Sequence, residues 1–442
     1  MDMTPKEIVS YLDNYVIGQK EAKKTIALAL RTRYRRMQLD PSIQQEIIPK
    51  NILMIGSTGV GKTEISRRLA RMMKVPFIKV EASKYTEVGF VGRDVESMIR
   101  DLVLASIAIV KAQKEEENLQ NIEAYIINKI LEKLLPTLSS SVSSEQKNEH
   151  ELLMQEMKEK LLKNELDQKM IKIDIIKPSI EFHDTNLPPE ILKVQESFTK
   201  MFSSLSKESN SLEVTIKEAK ELLYQEASSK LLDMPSIHAE ALRRAENGGI
   251  IFLDEIDKIA INSKSQGRND PSKEGVQRDL LPIVEGSSVT TKYGVIKTDH
   301  ILFIAAGAFH LCKPSDLIPE LQGRFPLRVE LESLDEDALY KIMLETKNSL
   351  IYQYKTLLHV EGVTLEFSDE AIRSIAKISH KANEIAEDIG ARRLHTVLEK
   401  VLEDISFNAQ ELQGQTICIT PELVHEKLDQ VIENQDLSRY IL

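Results

Sequence analysis

The eight residues GSTGVGKT, Gly56 to Thr63, constrain the chain more than any other segment. They match G-x-x-x-x-G-K-[ST] in full, and the context the motif requires is present. An apolar run of strand length, KNILMIG, precedes it, and the helix-forming EISRRLARMM follows. Gly56, Gly59 and Gly61 free the backbone to wrap around phosphate oxygens, while amides at the helix start aim positive partial charge at the anion. Lys62 reaches the β- and γ-phosphates, and the Thr63 hydroxyl is an oxygen ligand for Mg²⁺. A chain with this motif is expected to fold as a parallel sheet with helices on both faces.

Such a site needs a second anchor, and GGIIFLDEID supplies it. Four apolar residues, Ile250 to Leu253, carry Asp254 and Glu255 to a strand's carboxyl end, where open α/β sheets place ligands. Asp254 is expected to hold Mg²⁺, in part through water, and Glu255 to polarise an attacking water. Asp257 is left open between a site role and a structural one. Roughly 190 residues separate Lys62 from Asp254, so the two halves of the site meet only through the tertiary fold.

Composition removes several alternatives. The formal net charge of −11 opposes general nucleic-acid binding, which needs clustered positive charge. The best local candidate, RTRYRRM at Arg31 to Met37, reads instead as a solvated or subunit-facing basic helix. Cys312 and Cys418 are too few and too far apart for a disulfide framework or a four-Cys zinc site, and they fit a reducing compartment. The first residues have no secretory pattern. The longest apolar run, Leu102 to Val110, is too short to span a bilayer. These features give the expectation of a cytoplasmic protein.

Four stretches organise the chain. Residues 1–110 form the first part of the nucleotide core. They open with a helix whose start carries Thr4, Pro5 and Glu7 in a capping pattern. Residues 111–233 turn Lys/Glu/Gln/Ser-rich, with periodic helical patches such as IEAYIINKILEKLL, and read as an inserted domain; a long linker is the alternative. Residues 234–332 return to α/β alternation, with HILFIAAGAF as a buried strand. Residues 333–442 form a small helical α+β domain. In it Leu394, Val397, Leu398, Val401 and Leu402 share one stripe, and VTLEF and QTICIT are short strands.

One loop resists a purely structural reading. In EVGFVGRD, Gly89 and Gly92 flank Phe90 and Val91 within charged surroundings. Taken alone, Phe90 is a core residue beside a turn or an aromatic displayed on a hinged loop. The terminal Tyr440, Ile441 and Leu442 pose a similar choice, between packing on their own domain and filling a partner's groove.

The phosphate loop, FLDEID and the later GAR motif resemble the AAA+ ATPases. Across nearly all the chain outside the insertion, the motifs VIGQ, NILMIGSTGVGKTEI, PFIKVEA, GFVG, EGVQRDLLPIVEG, KPSDLIPELQGRFPLRVEL, IGARRLHTVLE and DLSRYIL are similar to the HslU (ClpY) family within them. The resemblance implies an AAA+ P-loop core, a mainly helical insertion and a helical α+β C-terminal domain. It implies an ATPase that unfolds proteins and is not itself a peptidase. It also implies a homo-hexamer holding ATP and Mg²⁺ between subunits and serving a separate peptidase ring of the HslV (ClpQ) type.

By the same resemblance Ile17, Gly59, Val60, Gly61, Lys62, Thr63, Glu64, Asp254, Glu320 and Arg392 contact nucleotide, and Thr63 and Asp254 hold its Mg²⁺. Lys62, Glu255 and Arg324 are the catalytic set, with Arg324 a finger reaching a neighbour's site. Gly89, Phe90, Val91 and Gly92 become a substrate-gripping pore loop, in which the group commonly has Tyr where this chain has Phe90. Tyr440, Ile441 and Leu442 become a docking tail. One position departs from the pattern. The strand after the Asp-Glu pair ends in Ala305, Ala306 and Gly307, where AAA+ proteins often carry a polar sensor. Two other readings stay in view. A ClpX-like unfoldase is opposed by the missing four-Cys module and the long insertion. A AAA+ nucleic-acid motor is opposed by net charge.

Overall fold

A computed structural model describes residues 3–47, 50–86, 93–135, 144–174, 211–261, 271–385 and 388–433. The chain divides into two compact units. One comprises Met1–Ser106 with Leu242–Leu442, and the other Ile107–Ala241.

In chain order the described strands are β1 (Ile52–Ile55), β2 (Phe77–Glu81), β3 (Met170–Asp174), β4 (Ser211–Thr215), β5 (Ile250–Asp254) and β6 (Ser288–Thr291). They continue with β7 (Gly294–Lys297), β8 (Leu302–Gly307), β9 (Leu327–Glu330), β10 (Thr364–Phe367) and β11 (Thr416–Ile419). The first unit is built on a five-stranded sheet in the order β2-β5-β8-β1-β9, with every pairing parallel. Parallel strands covered on both faces need continuous apolar runs rather than alternation. ILMI in β1, IIFLD in β5 and LFIAAG in β8 supply them, and all six residues of β8 are buried.

The register fixes the site. Glu81 pairs with Asp254 and Ile55 with Gly307. The Gly56 amide then donates to the Gly307 carbonyl, so the phosphate loop leaves the sheet at the carboxyl edge where Asp254 ends β5.

The N-terminal helix Pro5–Asp13 starts as its sequence predicts, with Thr4 and Glu7 capping each other reciprocally. The last third of the chain supplies helices Glu336–Leu344, Leu350–His359, Asp369–Ile385, Arg392–Phe407 and Pro421–Glu433, with β10 and β11 paired in parallel. The stripe Leu394, Val397, Leu398, Val401 and Leu402 is fully buried, in the same hydrophobic core as Ile52, Met54 and Ile65. This continuity ties the C-terminal helices to the phosphate-loop side of the sheet.

Two features differ from the sequence reading. The run Arg31–Met37 is not simply a solvated or subunit-facing helix, because Arg33 and Arg36 are buried. Arg33 donates to the carbonyl of Asn247, in the last turn of helix Met234–Gly248, and to those of Gly249 and His300, just before β5 and β8. Arg36 donates to the Gln44 carbonyl and meets His300 Nε2 at 2.6 Å. Carbonyls at strand starts that have left water need donors, and these two side chains are among those that supply them. The second feature is a hairpin, β6 with β7, in SSVTTKYGVIK. Only Val289 and Ile296 point to the interior, too sparse an alternation to stand out in sequence.

The second unit has its own core. Ile122, Ile126, Ile130 and Leu131 of helix Leu119–Leu134 pack with Leu161, with Ile171 and Ile173 of β3, and with Ala219 and Leu223 of helix Ile216–Leu231. The antiparallel pair β3–β4 adds a strand element to what the sequence reads as helical patches.

Candidate nucleotide site

The phosphate loop runs from β1 into helix Lys62–Met73. Gly59 and Gly61 lie in left-handed backbone conformations, with φ of 78° and 106°. Neither tolerates a side chain cheaply. At Gly59 the obstacle is also steric, since a Cβ there would lie 2.0 Å from the Ile389 carbonyl oxygen. The reason is a backbone-on-backbone contact. Gly390, with φ of 57°, packs on Thr58 and Gly59, and the Ala391 amide donates to the Gly59 carbonyl at 3.2 Å. Asn383 holds this turn from behind. Its side chain donates to the Gly390 carbonyl and accepts from the Ile389 amide and from Arg393 Nε. Buried Arg393 thus braces the turn, while its exposed neighbour Arg392 lines the cavity.

That cavity, of about 1320 Å³, is lined by Gly59, Gly61, Lys62, Thr63, Asp254 and Glu255 among others, with Arg392 and Asp388 on the C-terminal side. Lys62 is buried. Its ammonium donates to the Gly56 carbonyl and, at 2.7 Å, to that of Ser57. Burial pulls its pKa below the ordinary lysine value, against the opposing pull of Asp254 and Asp257. A second cavity, of about 410 Å³, adjoins the first and shares Gly59, Gly61, Glu64 and Arg392 with it. Val16, Ile17, Leu334 and Ile342 give this one an apolar wall of the kind that takes a planar base.

Asp254 and Thr63 meet across 191 residues of sequence, with the hydroxyl 3.4 Å from the carboxylate. Lys79 of β2 also pairs with Asp254 at 2.8 Å. Glu255 has a left-handed backbone, φ 57°, in a region where a non-glycine residue carries strain. Its carboxylate accepts from Ser83 Oγ at 3.2 Å and from Lys258 Nζ at 2.7 Å. Asp257 accepts from the Phe309 amide, so it both lines the cavity and braces the turn after β8. Among the described residues no cluster of three or more His, Cys, Asp or Glu side chains forms a metal cage. A hydroxyl beside a carboxylate suits the hard cation Mg²⁺, which takes one or two protein oxygens and completes its shell with phosphates and water.

The fold gathers Ile17, Gly59, Val60, Gly61, Lys62, Thr63, Glu64, Asp254, Glu255 and Arg392 around these two adjoining cavities. It does not bring Glu320 or Arg324 there within one chain. Both are exposed on helix Pro319–Arg324, and Arg324 pairs with Glu285 at 2.6 Å. Gly89, Phe90, Val91 and Gly92 lie outside the described residues. On either side of them in sequence, Tyr85 and Arg93 form an isolated bridge. Tyr440, Ile441 and Leu442 also lie outside the described residues. Sequence reasoning missed Asn383, Asp388, Ser83 and Lys258, which carry no motif of their own, and Lys79, which sits in PFIKVEA without a role assigned to it.

A phosphate loop and an Asp-Glu strand end converging on the carboxyl edge of a five-stranded parallel sheet define a P-loop ATPase. Two family models match. ATPase family associated with various cellular activities (AAA) covers residues 52–160, and AAA domain (Cdc48 subfamily) covers residues 137–328. The chain is 61% identical to the ATP-dependent protease ATPase subunit HslU of Helicobacter pylori strain Shi470, over 100% of this chain and 99% of that one. The Helicobacter acinonychis subunit of the same name is 61% identical with the same coverage, and that of Campylobacter jejuni strain RM1221 is 62% identical over the full length of both chains. The chain belongs to the HslU family of AAA+ ATPases.

Proposed function

We propose that this ATPase is the regulatory subunit of a two-component protease, which unfolds protein substrates and feeds them to an HslV-type peptidase while activating it. The observation that carries the reading is the convergence of Thr63, Asp254 and Glu255 at one strand edge from distant segments, in a chain whose full-length relatives are named protease ATPase subunits.

In this reading Lys62 and the loop amides hold the β- and γ-phosphates, and the wall at Ile17 takes the adenine. Thr63 and Asp254 hold Mg²⁺, which when bound neutralises charge on the phosphates. Glu255 orients the attacking water and accepts its proton. The bonds from Ser83 and Lys258 hold the Glu255 carboxylate at the cavity lining. Arg392 reads the phosphates from the C-terminal helices. The placement of Arg324 and Glu320 away from their own chain's cavity suits a homo-hexamer, in which a neighbour completes each site.

Residues 111–233 are read as an inserted domain between the two parts of the core, with residues 333–442 as the C-terminal domain. Phe90 grips unfolded polypeptide by non-directional burial on a loop freed by Gly89 and Gly92. Tyr440, Ile441 and Leu442 dock on the peptidase. No described helix is long and apolar enough to cross a membrane, which suits the cytoplasmic reading.

The test is peptide hydrolysis by an HslV-type peptidase with and without this protein and ATP. Stimulation is expected from the wild type. Glu255→Gln should hold ATP yet hydrolyse it at least about 100-fold more slowly, because the amide cannot take a proton. Failure of the wild type to stimulate the peptidase would remove the proposed partner.

A further inference from the structure

The base-side cavity is bounded by the short segment between the first two helices, Asn14 to Gln19, and this segment is braced from three directions. Beneath it, Lys23 is 1% exposed, and its ammonium donates to the Val16 carbonyl at 2.5 Å and to the Asp13 carboxylate at 2.6 Å. On a second side the Lys347 amide, between two C-terminal helices, donates to the Asn14 carbonyl at 2.7 Å. The third brace is reciprocal. Gln19 is 4% exposed and left-handed, φ 53°. Its side chain donates to the Glu332 carbonyl at 2.8 Å and accepts from the Glu332 amide at 3.0 Å.

Glu332 does not touch the cavity, but it lies at a junction. The preceding residue, Leu331, donates its amide to Ile55 at the end of β1 and packs against Gly56, the first residue of the phosphate loop. Leu334, two residues on, lines the base-side cavity. The Gln19 clasp therefore ties the base-side segment to the strand exit from which the phosphate loop also departs. Val16, held within the braced segment, completes the arrangement. A Cβ at Gly61 would lie 3.3 Å from Val16 Cγ1, so the two sides of the nucleotide site pack directly on each other.

We propose that Gln19 is a positioning residue for nucleotide binding, fixing the Val16–Ile17 wall on the Glu332 backbone so that the nucleoside, but not the phosphates, depends on it. The proposal rests on the nucleotide-site reading given above. Its chemistry is simple. A buried amide that both donates to and accepts from one backbone residue is hard to replace, because each lost bond leaves a buried polar group unpaired.

The test uses the full-length protein and two ligands, ADP and inorganic tripolyphosphate, the second measured by competition. Gln19→Met keeps length and loses both bonds. It is expected to weaken ADP binding about tenfold, to raise the KM for ATP in parallel, and to move tripolyphosphate affinity less than about twofold. Gln19→Asn suits the left-handed backbone and keeps an uncharged amide on an arm one methylene too short to serve both Glu332 groups, so it should show a smaller loss in the same direction. It carries the test if the methionine variant does not fold. Equal weakening of both ligands, or unchanged ADP binding, would overturn the proposal. Absence of ADP binding by the wild type would instead overturn the site reading itself.

Discussion

Two sets of buried cations stand at opposite edges of the central sheet, and the one at Lys62 faces the large cavity. At the carboxyl edge Lys62 bonds to the carbonyls of Gly56 and Ser57, with Asp254 nearby and about 1320 Å³ of open volume in front. At the amino edge Arg33 and Arg36 bond to the carbonyls of Asn247, Gly249, His300 and Gln44. Burial lowers the pKa in both places, to about 9 for Arg33, where the Arg36 charge adds to the effect. A desolvated cation among carbonyls is thus no signature of an anion site. What distinguishes Lys62 is the left-handed glycine loop, the carboxylate pair and the empty space in front of it. The arginines are pinned by strand ends, while Lys62 is lent to two loop carbonyls that phosphate oxygens would outbid.

Exchanging the roles of stability and binding is the direct way to break this comparison. Lys62→Met should lower ATP affinity by roughly 100-fold, the value of charged hydrogen bonds in a partly buried site. It should leave the melting temperature unchanged or raised, because a desolvated charge is removed. Parallel nucleotide titration and thermal melting measure both. Arg33→Met should do the opposite. Three carbonyls lose a donor, which is expected to cost about 3 kcal/mol of stability, while the folded fraction binds ATP as the wild type does. If Arg33→Met instead weakened ATP binding without a fall in melting temperature, the division between the two clusters would be wrong.

A third variant sharpens the contrast within the carboxyl edge. A Cβ at Gly390 would lie 2.8 Å from the Gly59 carbonyl carbon and the Thr58 carbonyl oxygen. Gly390→Ala should push the Arg392 turn off the phosphate loop and weaken ATP binding about tenfold, with φ of 57° adding strain. Isothermal titration beside the Lys62→Met variant would rank the two effects.

The smallest effect concerns pH. His300 sits against Arg36 and Arg33, with Asp299 beside it. Burial, then the Arg36 charge, holds its pKa below 6.5, with Asp299 opposing. The sign follows from proton uptake. As pH falls below 6.5 the unfolded chain protonates this residue before the folded chain does, so stability falls with pH in that window and is recovered above it. His300→Gln keeps an acceptor for Arg36 and should flatten that part of the stability profile. ATP affinity should keep its own pH dependence. A profile unchanged by the substitution would mean that His300 does not titrate in the window.

What was legible in the sequence is what is local. The phosphate loop and the Asp254–Glu255 strand end are each encoded in ten or fewer adjacent residues, and the apolar runs of β1, β5 and β8 announce a buried parallel sheet. The fates of Arg33 and Arg36 were not legible, because their carbonyl partners lie 214 to 267 residues away for Arg33, and the 2.6 Å contact of Arg36 with His300 spans 264. The Gln19 clasp likewise joins residues 313 apart. The seat of Gly390 on Gly59 is invisible for another reason: it is made by backbone, and side-chain identity records it only as two glycines. The β6–β7 hairpin was missed because two inward residues make too weak a period.

The strand order carries a consequence for how the chain comes into being. β1 is flanked by β8 and β9, and its residue Ile52 finds Ile304 only after about 250 further residues have been made, which at 5–20 residues per second takes roughly 10–50 s. During that interval ILMI and the glycine loop behind it have been synthesised without the strands that bury them. The whole Ile107–Ala241 unit, with its separate core, is synthesised and able to collapse first. The nucleotide site is therefore a late product of synthesis, and lining residues such as Arg392 and His395 are made only after all five strands of its sheet.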